Sequence, residues 1–152
     1  MMKTLIAVDG SPAALHAVHH VLACVRAGLQ TRCVLANVQP PASLYEVVVG
    51  HDPQAIEDVR RAAGADLLAA AEALLDAAGL EYESEVAGGE PQHVLVEMAE
   101  RYGCDAIFIG AREDAVGAGR LGEVALAVLA HSTLPVTVVH APEPPEVDDV
   151  PA

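Results

Sequence analysis

Leu5-Ile6-Ala7-Val8-Asp9-Gly10-Ser11-Pro12 reads as a buried strand running straight into a helix. Four consecutive apolar residues ended by Asp-Gly suit a strand covered on both faces. Ser11 brings a hydroxyl that can cap free backbone N–H groups. Pro12 suits the first helical position, where a missing N–H costs nothing. Behind it Leu15, Val18, Leu22 and Val25 recur at steps of three and four until Gly28 stops the helix.

The same alternation continues down the chain. Residues 34–38 form a second apolar run, ended by Pro40-Pro41. Residues 40–53 make a long connection whose apolar patch, Val47-Val48-Val49, is expected to cover the core as a lid. From Gln54 a long helix carries Ile56, Val59, Ala63, Leu67, Ala70, Leu74 and Ala78 on its expected inner face, with Gly79 closing it. Residues 83–87 are a third strand, and Gly88-Gly89-Glu90-Pro91 turns into a helix with Val94 and Met98 inward, ending near Gly103. Ala106-Ile107-Phe108-Ile109 is the fourth strand. A Gly-rich loop from Gly110 to Gly122 follows, then a helix with Leu121, Val124 and Val128 inward, then the fifth strand, Pro135-Val136-Thr137-Val138-Val139.

Five strands alternating with four helices predict an α/β fold: three layers, a five-stranded parallel sheet, right-handed crossovers, Rossmann-like. Ligands of such sheets bind beyond the carboxyl ends of the strands, where strand order reverses. That rim gathers Asp9, Val38 and the loop starting at Gly110. Residues 1–140 are read as one domain, and 141–152, rich in proline and acids, as a disordered tail.

Composition narrows the partners. The chain is 53% apolar but only 3% aromatic, so its core is built from aliphatic side chains and alanine. A net charge of −14 repels phosphate backbones and anionic lipid, which argues against nucleic acid and membrane partners. Cys24, Cys33 and Cys104 are unclustered and odd in number, as expected of reduced, buried thiols in a cytoplasmic protein. The start of the chain shows no secretory signal pattern, and no apolar run approaches the roughly 20 residues of a membrane span.

Several chemistries are excluded by what is missing. The only lysine is Lys3, and no G-x-x-x-x-G-K-[ST] occurs, so there is no P-loop. A phosphorylatable receiver domain would need paired acids after the first strand and a lysine near the last; this chain has Asp9 alone. No G-x-S-x-G nucleophile elbow is present, and helix capping explains Ser11. His16 and His20 stand four apart on the first helix without a further ligand nearby, so no metal site is read. His51, His93, His131 and His140 are scattered and carry no spacing signal.

The loop after the fourth strand is the strongest candidate for binding. Its glycines let backbone N–H groups approach an anion, and the following helix adds a partial positive charge. Gly117 to Gly122 spells G-x-G-x-x-G, but too far beyond the strand for a dinucleotide fingerprint. Arg112 and Arg120 suit phosphate oxygens, whereas Glu113, Asp114 and Glu123 oppose them or pair with those arginines.

Four stretches carry a family resemblance: Leu5 to Ser11, Gly88-Gly89-Glu90-Pro91, Cys104-Asp105-Ala106-Ile107-Phe108-Ile109-Gly110-Ala111-Arg112, and Pro135 to Val139. In this order and spacing the chain resembles the universal stress proteins. The resemblance implies a sheet of strand order 3-2-1-4-5, related to the adenine nucleotide alpha hydrolase-like folds, usually in a homodimer of a cytoplasmic stress-response protein. One branch of that family binds ATP through G-x-x-G-x9-G-[ST]. Carried onto this chain, the resemblance implies contacts from Asp9, Val38, Ile109, Gly110, Ala111, Arg112, Gly119, Arg120, Gly122 and Val124. The signature is damaged here: Glu113 holds the second glycine position, the interval is one residue short, and the closing pair reads Gly122-Glu123. The expectation is therefore a regulatory binding module with a degenerate adenine-nucleotide site, AMP or ATP being possible ligands and no cofactor certain. The alternatives are an ATP-binding member or a weak nucleotide hydrolase of the same fold. With order 3-2-1-4-5, Val136–Val139 lies at a sheet edge, which a second copy of the chain would cover.

Overall fold

The structure, a computed structural model, describes residues 1–39, 52–112 and 122–142. The chain runs β1 (Met2–Ala7), α1 (Pro12–Arg26), β2 (Thr31–Gln39), α2 (Pro53–Ala77), β3 (Tyr82–Gly88), α3 (Pro91–Arg101), β4 (Ala106–Gly110), α4 (Glu123–His131) and β5 (Val136–Val139). The Val47-Val48-Val49 patch, Leu121 and most of the acidic tail lie outside the described residues.

The sheet has five strands in the order β3-β2-β1-β4-β5, and every neighbouring pair is parallel. Central β1 pairs Leu5 with Val34 on one side and with Ile107 on the other. These three residues are fully buried, as the apolar runs require of strands covered on both faces. Ile6, Leu35 and Phe108 point to one face, where they pack with Val18, Val21 and Leu22 of α1 and Leu68, Ala71 and Leu75 of α2. Leu5, Val34 and Ile107 point to the other face, against Leu95 and Met98 of α3 and Ala125 and Val128 of α4. Alternation along each strand thus supplies two separate cores.

Polar groups inside are matched. Thr4 and Thr31 share a hydroxyl–hydroxyl bond of 2.8 Å. Among the described residues no buried side-chain nitrogen or oxygen lacks a hydrogen-bond partner. Cys33 and Cys104 are buried on opposite faces of the sheet, and burial pushes the Cys33 thiol up to about 11. The Cys104 thiol is raised for the same reason, so both are poor nucleophiles at neutral pH.

The long helix α2 departs from the sequence reading by one residue. Its buried stripe is Gly64, Leu68, Ala71 and Leu75, whereas Val59, Ala63, Leu67 and Ala70 are exposed. The real stripe opens with a glycine for a steric reason. A Cβ on Gly64 would stand 2.4 Å from Val86 Cγ1 and 2.8 Å from Asn37 Oδ1, so the helix lies nearly in contact with β2 and β3 there.

The two sheet edges differ in character. The outer strand β3 carries Glu83 and Ser84 exposed and Glu85 half-buried, with Lys3 and Arg101 as ionic partners of Glu83 and Glu85. At the opposite edge all four residues of β5, Val136, Thr137, Val138 and Val139, are half-buried, and Leu126 and Leu129 of α4 are exposed.

Candidate functional site

From β1 the chain turns toward β2 and β3, and from β4 it turns the other way, to β5. The two crossovers part at this point, and a cavity of about 240 Å³ opens at the carboxyl ends of β1, β2 and β4. Its floor is apolar: Val8, Ala36, Val38 and Ile109 from the strands and Leu95 from α3. The polar groups at its rim are Asp9, Ser11 and Arg112.

Asp9 is held by the turn that starts α1. Its Oδ1 accepts the Ser11 backbone N–H at 2.9 Å and the Ser11 hydroxyl as well. The same hydroxyl oxygen accepts the Ala14 N–H at 3.2 Å, capping the helix. Below, buried Asn37 donates from Nδ2 to the Val8 carbonyl at 2.8 Å and accepts Gln39 Nε2 at 2.7 Å. That bond ties the end of β2 to the end of β1, so the cavity floor and the Asp9 turn form one rigid piece.

Gly110 marks where β4 passes beneath the first turn of α1. A Cβ at this position would lie 2.2 Å from the Ala13 carbonyl oxygen and 2.4 Å from its carbon. Close packing therefore accounts for this glycine independently of any ligand. The stretch that leaves β4 returns beside its own start: a Cβ on Gly122 would come 3.2 Å from Arg112 Cβ. Gly122 caps α4 with φ of 79° and without a side-chain hydrogen bond, so the helix begins with free N–H groups at the cavity. Glu123 is exposed in that first turn and adds negative charge where the helix would otherwise attract an anion.

Seven of the residues singled out in the sequence line this one cavity: Asp9, Val38, Ile109, Gly110, Arg112, Gly122 and Val124. Ala111 is buried and ties β4 to β5 instead, its N–H donating to the Val139 carbonyl at 2.8 Å. Gly119, Arg120 and Glu113 lie outside the described residues. Sequence reasoning missed Ala36, Pro91, Leu95 and Ala125 among the lining. It also read Ser11 only as a cap, although Asp-Gly-Ser is itself a signal for a side chain bonding two residues ahead. Among the described residues no group of three or more His, Cys, Asp or Glu side chains could hold a metal ion. No described helix is long and apolar enough to cross a membrane.

The parallel sheet and its switch-point cavity define a Rossmann-like α/β protein. Residues 1–140 match the model of the Universal stress protein family, and the chain belongs to that family. Solved structures agree on the fold. The hypothetical protein MJ0577 superposes with a TM-score of 0.76 at 23% identity, over 93% of this chain and 97% of that one. A universal stress protein family protein from Arabidopsis thaliana with AMP bound gives 0.69 at 20% identity, over 96% and 97%. The universal stress protein from Archaeoglobus fulgidus in complex with dAMP gives 0.63 at 19%, over 91% and 98%. A comparison with curated proteins found no match.

Proposed function

We propose that this chain is a regulatory stress-response module that binds an adenine mononucleotide, AMP in preference to ATP, in the cavity between β1 and β4. One observation carries the reading. The cavity joins an apolar slot to a turn-held Asp9, while the helix end where phosphates would extend bears Glu123. The slot suits a flat base, and Asp9 Oδ2 is available to accept ribose hydroxyls. A single phosphate can use Arg112 and the α4 N–H groups, but a longer chain of phosphates meets the Glu123 carboxylate. The ligands of the Arabidopsis and Archaeoglobus relatives, and the cAMP of another, support a monophosphate.

Calorimetric titration is expected to give AMP the higher affinity and Mg²⁺-ATP the lower. Glu123→Ser should raise ATP affinity about tenfold, the equivalent of roughly 1.4 kcal/mol of relieved repulsion. Stoichiometric ATP found by mass spectrometry of the purified wild-type protein would overturn the reading. Binding without turnover is the reading proposed. The only lysine, Lys3, sits at the far end of β1, and the polar side chains lining the described cavity are Asp9, Ser11 and Arg112. Sustained phosphate release from Mg²⁺-ATP would favour the hydrolase alternative.

The functional unit we propose is a cytoplasmic homodimer joined through Val136–Val139. A half-buried apolar edge strand beside exposed Leu126 and Leu129 supports it, since such an edge is an open template for another strand. Sedimentation velocity is expected to give twice the chain mass of 15.7 kDa. Val138→Pro should return the monomer: the Pro135 and Val139 carbonyls face β4, so the N–H of Val138 lies on the outer edge, where proline puts a ring instead.

A further inference from the structure

We propose that His93 and His131 together bind one divalent transition-metal ion, such as Zn²⁺ or Ni²⁺, across the outer faces of α3 and α4. The two histidines are far apart in sequence, and neither belongs to the cavity described above. The fold brings their rings to a centroid separation of 5.7 Å with an interplanar angle of 43°. Metal–nitrogen bonds of about 2.0–2.1 Å place each ring centroid about 3.2 Å from the ion, so two imidazoles on one ion have centroids about 4.5 Å apart in octahedral and about 5.2 Å apart in tetrahedral geometry. The observed spacing exceeds the tetrahedral value by about half an ångström, which rotation of two exposed side chains can close.

The pair is also held in place from beneath. Leu95, Met98 and Ala99 of α3 share one core cluster with Ala125 and Val128 of α4, which fixes the backbones that carry the two rings. Both histidines are exposed, so an ion can enter and keep water in its remaining positions. His131 closes α4, where the helix dipole favours positive charge; His93 stands in the first turn of α3, where it does not. The chain's net charge of −14 concentrates cations around the molecule. Among the described residues the other contact between rings, His20 with Phe108 at 5.9 Å, offers a single ligand.

Titration of the intact chain with Zn²⁺ alone, at a pH where imidazole is neutral, tests this independently of any nucleotide. One ion per chain is expected, and His93→Ala and His131→Ala should each weaken binding at least about tenfold. His16→Ala should leave it unchanged. In a spectrum of labelled histidine, Ni²⁺ should broaden the His93 and His131 ring signals first. Both substitutions are on exposed positions, and His93→Gln provides a second variant that keeps side-chain bulk. No Zn²⁺ binding below about 1 mM, or binding that both alanine variants retain, would overturn the proposal. So would broadening centred on His16 and His20.

Discussion

Gly110→Ala is expected to lower the free energy of unfolding by about 3 kcal/mol or more, with no ligand present. The added methyl meets backbone, the Ala13 carbonyl at 2.2 and 2.4 Å, and a backbone carbonyl in a helical turn cannot rotate away. Relief requires α1 to lift from β4, which would part Val18 and Leu22 from Phe108 in the same core. Urea denaturation followed by circular dichroism measures the loss as a lower midpoint at unchanged slope. If Gly110 served only to let a phosphate approach, the substitution would leave the empty protein as stable as before. An unchanged midpoint would therefore remove the packing account of this glycine.

Gly64→Ala sets two effects of opposite sign against each other. In a free helix, alanine is better than glycine by about 1 kcal/mol. In α2, however, the methyl overlaps Val86 Cγ1 at 2.4 Å and Asn37 Oδ1 at 2.8 Å. Valine has little rotamer freedom with which to give way. Asn37 is fixed by its bonds to Val8 and Gln39, so moving it disturbs the cavity floor as well. Overpacking of about 1–3 kcal/mol should win, leaving a net loss of up to about 2 kcal/mol. Val86→Ala in the same chain should restore much of it, and a double-mutant cycle reads the coupling. A stabilised single variant would show that α2 floats above the sheet more loosely than its buried stripe indicates.

These two glycines also show where sequence reasoning stops. All nine elements of the described residues were legible, because continuous apolar runs, Ser11-Pro12, Gly28, Gly79 and Pro91 each signal a strand, a start or a stop through local chemistry. The inner face of α2 was not. Thirteen of its 25 residues are alanine or leucine, so an apolar stripe can be drawn in more than one phase. The true phase passes through Gly64, which has no side chain to register as apolar. The cavity was half legible. Asp9, Val38 and Gly110 follow from strand ends, but Pro91 and Leu95 enter it from α3, whose approach depends on the crossover packing. Likewise nothing in the spacing of His93 and His131 marks them as neighbours; only the packing of α3 on α4 does.

The unlike flanks of the sheet bear on how many copies can join. Carboxylates along β3 discourage a further strand from docking, while the aliphatic β5 invites one. Growth by strand addition is then open from a single side, and pairing like with like uses up that side at once. If the proposed pairing through β5 occurs, assembly stops at two, where a sheet sticky on both flanks would run on into fibres.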